Sequence, residues 1–79
     1  MHSTVADKIR SRLRVRLTLP TPAECRQIRE GAGLTQAAVA DAIGVTPQAV
    51  ALWESGRRTP RGPLLNRYAE AIETMREAL

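Results

Sequence analysis

Residues 34–56 read LTQAAVADAIGVTPQAVALWESG and contain two short helical patterns separated by a tight turn. Thr35 is a favourable N-cap for the first pattern, in which apolar residues recur at spacings of three and four. Gly44 predicts its end, because glycine adopts the positive φ that closes a helix at little steric cost. Thr46 and Pro47 then predict the cap and the first turn of a second helix. Two helices of about nine residues, joined by a turn of about three, predict a helix-turn-helix.

The second helix of this motif has an inward and an outward face. The residues expected to face the core of the motif are Val39, Ala40, Ile43, Val50 and Trp53. Gln48, Leu52 and Ser55 lie at i, i+4 and i+7, away from that core. A side-chain amide pairs with adenine and an apolar side chain contacts a thymine methyl, so this face suits base reading. The alternative is an ordinary solvated face of a small helical core.

The longer run LTQAAVADAIGVTPQAVALWESGRRTPRG resembles the phage-repressor-like helix-turn-helix family, often called the XRE type. The resemblance covers about residues 22–75. The features that carry it are Thr35-Gln36, Ala40, Gly44-Val45, Val50 and the run Trp53-Glu54-Ser55-Gly56. It implies that helix 46–55 enters the major groove of operator DNA and that Gln36 hydrogen-bonds a phosphate. It also implies a buried ion pair between Glu54 and Arg29.

Two sets of DNA-binding residues follow from the motif, the resemblance and the flanking charges. The expected base readers are Pro47, Gln48, Ala51 and Leu52. The expected phosphate contacts are Thr35, Gln36, Thr46, Ser55, Arg57, Arg58 and Arg61. Pro47 has no hydrogen-bonding group where many relatives carry a polar residue, so direct reading of bases is expected to be sparse. Residues 30–56 contain no Lys or Arg, so the cations that attract phosphates must flank the motif.

The remaining sequence predicts an all-α bundle of four to five helices. Thr21, Pro22 and Glu24 form a capping signal for a helix that runs to about Ala32 and that Gly33 caps. A last helix opens near Pro63. Its apolar stripe, at spacings of three and four, is expected to pack on the core and consists of Leu65, Tyr68, Ala69, Ile72, Met75 and Leu79. We expect residues 21–79 to be the DNA-binding domain and residues 1–20 to be a separate basic, amphipathic segment.

The N-terminal segment has two periodicities. Cations and apolar residues alternate along it, as in a strand. The cations are Lys8, Arg10, Arg12, Arg14 and Arg16, and the apolar residues are Ile9, Leu13, Val15, Leu17 and Leu19. Val5, Ile9, Leu13 and Leu17 are also four apart, as on a helix face. We favour a helix from about Val5 to Val15, because no partner strand is visible. Its cations either follow the DNA backbone or form a solvated face.

Composition limits the classes of function. The 79 residues make one small domain, and the formal charge of +4 suits a polyanionic partner. Cys25 and His2 are the only residues of their types, which argues against a disulfide or metal cluster within the chain; Cys25 is expected to be a half-buried apolar residue. No Ser/His/Asp set, carboxylate pair or phosphate-binding glycine loop is visible. We therefore expect no enzyme, no metal, no cofactor and no membrane partner.

The function that these features favour is sequence-specific binding of double-stranded DNA by a transcriptional regulator, most simply a repressor, in the cytoplasm or nucleoid of a bacterium. The first alternative is an antitoxin that represses its own operon and binds a toxin through Leu52 or the N-terminal segment. The second is a protein-interaction module that keeps the fold without binding DNA. One recognition helix covers few base pairs, so we expect a homodimer. Its surface is either the apolar face of residues 5–19, which we favour, or the turn around Met75 and Leu79.

Overall fold

The chain folds into five α-helices connected by short loops. The computed structural model describes residues 4–79, and in that range all side chains except those of residues 11, 12 and 14–18. The helices are α1 (Val5–Thr18), α2 (Pro22–Gly31), α3 (Gln36–Ile43), α4 (Pro47–Glu54) and α5 (Pro63–Glu77). The prediction of an all-α bundle is thereby confirmed, and between residues 4 and 79 there is no strand.

Short polar side chains begin the helices, as their capping signals predict. Thr21 Oγ1 accepts a hydrogen bond from the backbone N–H of Glu24, and the Glu24 carboxylate accepts one from the N–H of Thr21. This reciprocal capping box satisfies two donors that a helix start otherwise leaves unpaired. Thr35 and Thr46 cap α3 and α4 with one hydrogen bond each, in which the threonine Oγ1 accepts from the backbone N–H three residues later.

The core lies where α2, α3, α4 and α5 meet. Its buried residues are Cys25, Val39, Ala40, Ile43, Val50, Trp53, Tyr68, Ile72 and Met75. The rings of Trp53 and Tyr68 lie 4.8 Å apart between centroids, tilted by 53°. This tilted contact between α4 and α5 adds about 0.5–1.5 kcal/mol to the burial of the two rings. It fixes the inward face of α4 and thereby the direction of its outward face.

Two expectations about burial were wrong. Cys25 is 1% exposed, so it is a full member of the core and not half-buried. Burial raises the pKa of its thiol, and its Sγ lies 3.6 Å from the carbonyl oxygen of Pro20. Leu79 is 65% exposed, because α5 ends at Glu77 and its apolar stripe leaves the core after Met75.

The N-terminal segment is a helix, and the alternative of a strand is wrong for residues 5–18. Helix α1 runs to Thr18, one turn beyond the predicted end, and packs against α5. The side chains of Arg12, Arg14, Val15, Arg16 and Leu17 lie outside the described part of the chain, as does His2. Within residues 4–79, no helix combines the length and the apolar character that crossing a membrane requires.

Candidate nucleic-acid interface

Helices α3 and α4 form a tight helix-turn-helix around Gly44. Gly44 has φ 90° and ψ 36°, the left-handed conformation that a residue with a Cβ adopts only under strain. Both Gly44 and Val45 donate their N–H to the carbonyl of Ala40, at 2.8 and 2.9 Å. These bonds reverse the chain, and Thr46 starts α4 immediately afterwards. The two helices therefore have a fixed relative orientation.

The outward face of α4 carries the four predicted base readers in two different environments. Pro47 and Gln48 are exposed, and Ala51 and Leu52 are half-buried. Leu52 lines a groove together with Leu64 of α5 and the loop that follows α4. Gln48 is thus the one polar group among the four that solvent, and hence a nucleic acid, reaches freely.

The start of each motif helix offers hydrogen-bond donors. The Oγ1 atoms of Thr35 and Thr46 accept backbone bonds from Ala38 and Ala49, at 3.0 and 3.2 Å. Accepting these bonds leaves the hydroxyl hydrogens available to a further acceptor. The unpaired N–H groups of a first helical turn and the helix dipole add positive potential at the same place.

A buried ion pair joins α2 to α4. Arg29 Nε donates to Oε2 of Glu54 at 2.6 Å, and Arg29 Nη2 donates to Oε1 at 3.0 Å. Arg29 Nη1 also donates to the carbonyl of Leu34 at 2.8 Å, which ties the loop before α3 to the same group. Burial raises the pKa of Glu54, but the bonds from Arg29 and Gln36 outweigh it and hold that pKa below its ordinary value.

Gln36 extends this ion pair to the surface, a connection that the sequence analysis did not anticipate. Its Nε2 donates to Oε1 of Glu54 at 3.1 Å, so Glu54 accepts from two partners on two other helices. The amide is half-buried and is held at the first position of α3. Gln36 and Glu54 are 18 positions apart on different helices, and no motif or spacing in the sequence indicated this bond.

The loop after α4 brings three arginines together at the end of the outward face. Arg57, Arg58 and Arg61 are exposed, and among the described residues no carboxylate lies within ion-pair distance of them. The N–H groups of Arg57 and Arg58 both donate to the carbonyl of Leu52, at 3.1 and 3.3 Å, which holds the loop close to α4. Pro60 is buried and anchors the far end of the loop.

Ser55 has a structural task within this loop. Its Oγ donates to the carbonyl of Leu52 at 3.0 Å and accepts from the N–H of Arg57 at 3.4 Å. A hydroxyl has a single hydrogen to donate, so Ser55 contacts a phosphate only if that hydrogen leaves Leu52. The arginines are therefore better placed than Ser55 to supply the attraction at this end of the helix.

Comparison with known proteins identifies the fold of this region. A family model described as helix-turn-helix (HTH_3) matches residues 26–74. The matched range contains α3, α4 and most of α2 and α5, and it leaves α1 outside. No curated protein and no solved structure gives a significant match.

Proposed function

Because the chain belongs to the phage-repressor-like (XRE-type) helix-turn-helix family and is therefore a DNA-binding transcription regulator, we propose that it represses transcription by reading a specific operator with α4. The observation that carries the proposal is the outward face of α4. It presents the exposed amide of Gln48 between a capped helix start and a loop of three free arginines. These groups supply the two kinds of contact that a specific complex in the major groove needs, one to base edges and one to phosphates.

Base reading rests on Gln48 together with apolar neighbours. A glutamine amide donates to N7 or accepts from N6 of adenine, and as a bidentate pair it does both. Ala51 and Leu52, one turn further along α4, present apolar atoms that suit a thymine methyl. The proposed operator therefore contains an A·T pair opposite Gln48, and few further positions are read by hydrogen bonds.

Phosphate binding is divided between the start of α3 and the loop after α4. The Gln36 amide has two N–H hydrogens, and the bond to Glu54 uses one of them, which leaves the other for a phosphate oxygen. Thr35 and Thr46 add their hydroxyl hydrogens, and Arg57, Arg58 and Arg61 add charge. These contacts set the orientation of α4 in the groove without reading sequence.

Repression needs more selectivity than one α4 supplies. A single helix with one polar reader distinguishes few base pairs, and a genome offers a very large number of competing sites. Two copies related by a two-fold axis add the energies of two half-sites. The proposed operator is therefore an inverted repeat whose half-sites lie about 10 base pairs apart, or a multiple of that.

Selection of bound sites from random duplex DNA tests the proposed function. The expected result is an inverted repeat with A·T pairs at symmetric positions, bound far more tightly than random duplex at the same salt concentration. A purified protein that binds every duplex equally, or none, would overturn the proposal. In the first case the chain is a general DNA-binding protein, and in the second an interaction module.

An antitoxin that represses its own operon is the second candidate function. The observation that favours it is an apolar groove between α3 and α5, with Leu34, Ala38 and Ala71 in its lining. Asp41 and Glu70 lie on the same groove with one cation, Arg67, so its lining carries a net negative charge, which suits a basic protein partner. The groove shares no residue with α4 or with the arginine loop (residues 57–61), so a bound toxin would leave α4 free and would lie beside the start of α3. Co-expression with a small basic ribonuclease-like protein from the neighbouring gene tests this alternative.

A further inference from the structure

Helix α1 exposes a stripe of large apolar side chains. Val5, Ile9 and Leu13, here called the α1 stripe, are 75%, 52% and 50% exposed. They are four residues apart, so they lie above one another on one helix face. In the described part of the chain, the other exposed large apolar residues are Leu34, at 42%, and Leu79, at 65%. A domain of this size is expected to cover such a stripe, since exposed apolar patches mark contact surfaces.

An open groove lies directly beside the α1 stripe. Ile9 and Leu13 form one wall, and the loop segment 59–62 and Leu65 of α5 form the other, around a volume of about 530 Å³. The groove exists because α1 packs on α5 without filling the space next to the loop. One patch of surface thus contains an apolar ridge and, directly beside it, a groove with both apolar and polar lining residues.

We propose that this patch is the two-fold interface of the dimer, an inference that rests on the proposed function. Helix α1 of the second copy crosses α1 of the first, and the α1 stripe of each copy lies in the groove of the other. A two-fold interface uses the same patch on both copies, so the patch must be complementary to itself. A ridge beside a cleft meets that condition. The groove wall at Thr59 also continues directly into Arg57 and Arg58, so the interface adjoins the DNA-binding loop.

The charge around the patch weakens the dimer in the absence of DNA. Lys8 and Arg10 lie on exposed positions of α1, and Arg61 lines the groove itself. Asp7 is the only acid nearby in sequence and already lies 3.5 Å from Arg10. A two-fold contact brings the cations of both copies towards each other, and like charges repel over about 10 Å at moderate salt. DNA phosphates between the copies neutralise these charges, so DNA binding strengthens the dimer and the dimer strengthens DNA binding.

The size of the interface leads to the same conclusion. A stable biological interface usually buries more than roughly 1,000 Å², and three side chains with a short groove on each copy are expected to bury less than that. The free protein is therefore a weak dimer, and the two copies meet on adjacent half-sites. Salt has opposite effects on the two equilibria. Added salt weakens binding to DNA because counterion release then contributes less free energy. It strengthens dimerisation of the free protein because it screens the repulsion between the cations.

Sedimentation of the full chain in a salt series, with and without DNA, tests the interface. The variants are Ile9→Ser and Val5→Ser in the α1 stripe, and Leu79→Ser as the matched control on the alternative surface. All three residues are exposed and uncharged, so the variants keep the fold and the net charge; thermal unfolding checks the fold. In free protein, the wild type and Leu79→Ser are expected to associate more strongly as salt rises, and the two α1 variants are not.

DNA binding gives the second readout, with a selected inverted repeat, a single half-site and random duplex as probes. The wild type is expected to prefer the full site over the half-site by about 100-fold or more, the gain that linked binding commonly gives. Ile9→Ser is expected to lose most of this preference and to keep half-site affinity within a factor of about two, since its phosphate contacts are unchanged. Val5→Ser should follow in the same direction.

The outcomes separate failure of the interface from failure of the proposed function. If the wild type binds the repeat and Ile9→Ser binds it equally well, the interface is wrong and the function stands. If Leu79→Ser loses the preference instead, the dimer forms through the C-terminal turn and the inference is overturned. If no duplex is bound, the proposed function fails. The interface is then tested by sedimentation of the free protein, which needs no DNA. Association that rises with salt in the wild type and is lost in Ile9→Ser supports the interface, and any other result overturns it.

Discussion

Arg29 of α2 and Glu54 of α4 form a two-bond ion pair, with side chains only 11% and 4% exposed. The pair lies on the core side of α4 and also holds the loop at Leu34 and the amide of Gln36. Four segments of the chain therefore converge on one charge pair. The ion pair therefore stabilises the fold and also holds Gln36, a proposed phosphate contact, in position.

Removal of either member of the ion pair should strongly destabilise the protein. Arg29→Ala or Glu54→Ala should each lower the free energy of unfolding by about 3–5 kcal/mol, because the remaining charge stays buried without a partner. The double variant should lose less than the sum of the two. Urea unfolding followed by circular dichroism measures this. The exposed pair Arg26–Glu30, at 3.2 Å, is the matched control, and its disruption should change stability by less than about 1 kcal/mol.

The same carboxylate predicts a loss of stability in acid. The pKa of Glu54 is lower in the folded protein than in the unfolded chain, where it is about 4.3, so the unfolded state binds the proton more tightly. The stabilisation is complete above that value and is lost as pH falls through the folded pKa. Unfolding free energies between pH 7 and pH 3 should therefore fall more steeply for the wild type than for Glu54→Gln. Parallel profiles below about pH 4.3 would show that Glu54 does not titrate in this way.

Gln48 is predicted to select a base. Gln48→Ala should weaken binding to the selected operator by about 1–3 kcal/mol and should change binding to random duplex little, because the amide contacts base edges only. Fluorescence anisotropy with both duplexes at one salt concentration gives the comparison. Gln27→Ala is the control, since Gln27 is an exposed amide on α2. An equal loss on both duplexes would exclude base reading by Gln48.

The arginine loop is predicted to contact phosphates. Arg57→Ala or Arg58→Ala should weaken binding to every sequence and lower the magnitude of the salt slope by about one unit each. Arg76→Ala removes a cation near the end of α5, where Glu73 lies 3.8 Å away, and should leave the slope unchanged. The measurement is the logarithm of the binding constant against the logarithm of salt concentration. A wild-type slope in the loop variants would show that these side chains do not reach the backbone.

Gly31 offers a stabilising substitution. It is the last residue of α2, and a Cβ there would lie 3.0 Å from Cδ2 of Leu79. The contact is tight, but Leu79 is exposed at the end of the chain and its tip can swing away. Gly31→Ala should therefore raise the free energy of unfolding by about 0.5 kcal/mol through the lower entropy of the unfolded chain. Gly44→Ala, at φ 90°, is the contrasting variant and should destabilise. A loss of stability in Gly31→Ala would mean that Leu79 is held in place.

Sequence alone predicted the helix-turn-helix well, because local chemistry determines its ends. Thr35 and Thr46 cap α3 and α4, and Gly44 has the positive φ that its position implied. The N-terminal segment was harder, since its spacings of two and four fitted a strand and a helix equally. The helix was favoured only because no partner strand was visible, and its end at Thr18 lies one turn beyond the prediction.

The errors and omissions concern contacts between distant parts of the chain. Cys25 is buried because Tyr68, more than forty positions later, packs in the same core, and nothing near Cys25 in sequence indicates this. The bond from Gln36 to Glu54 joins residues on two helices and was likewise invisible. The ion pair of Arg29 with Glu54 came from resemblance to a family and not from spacing. The roles of Gln48 and the arginine loop on DNA stay predictions.

The charge distribution of the motif also has an evolutionary consequence. Residues 30–56 carry no Lys or Arg, while Arg57, Arg58 and Arg61 follow directly after them. Under the proposed function, attraction to DNA and choice of sequence therefore depend on different residues. Uncharged substitutions at Pro47 or Gln48 are then expected to change the preferred operator while the speed of finding DNA and the general affinity stay the same. After gene duplication, one copy can acquire a new target through one or two substitutions without first becoming a weak or indiscriminate binder.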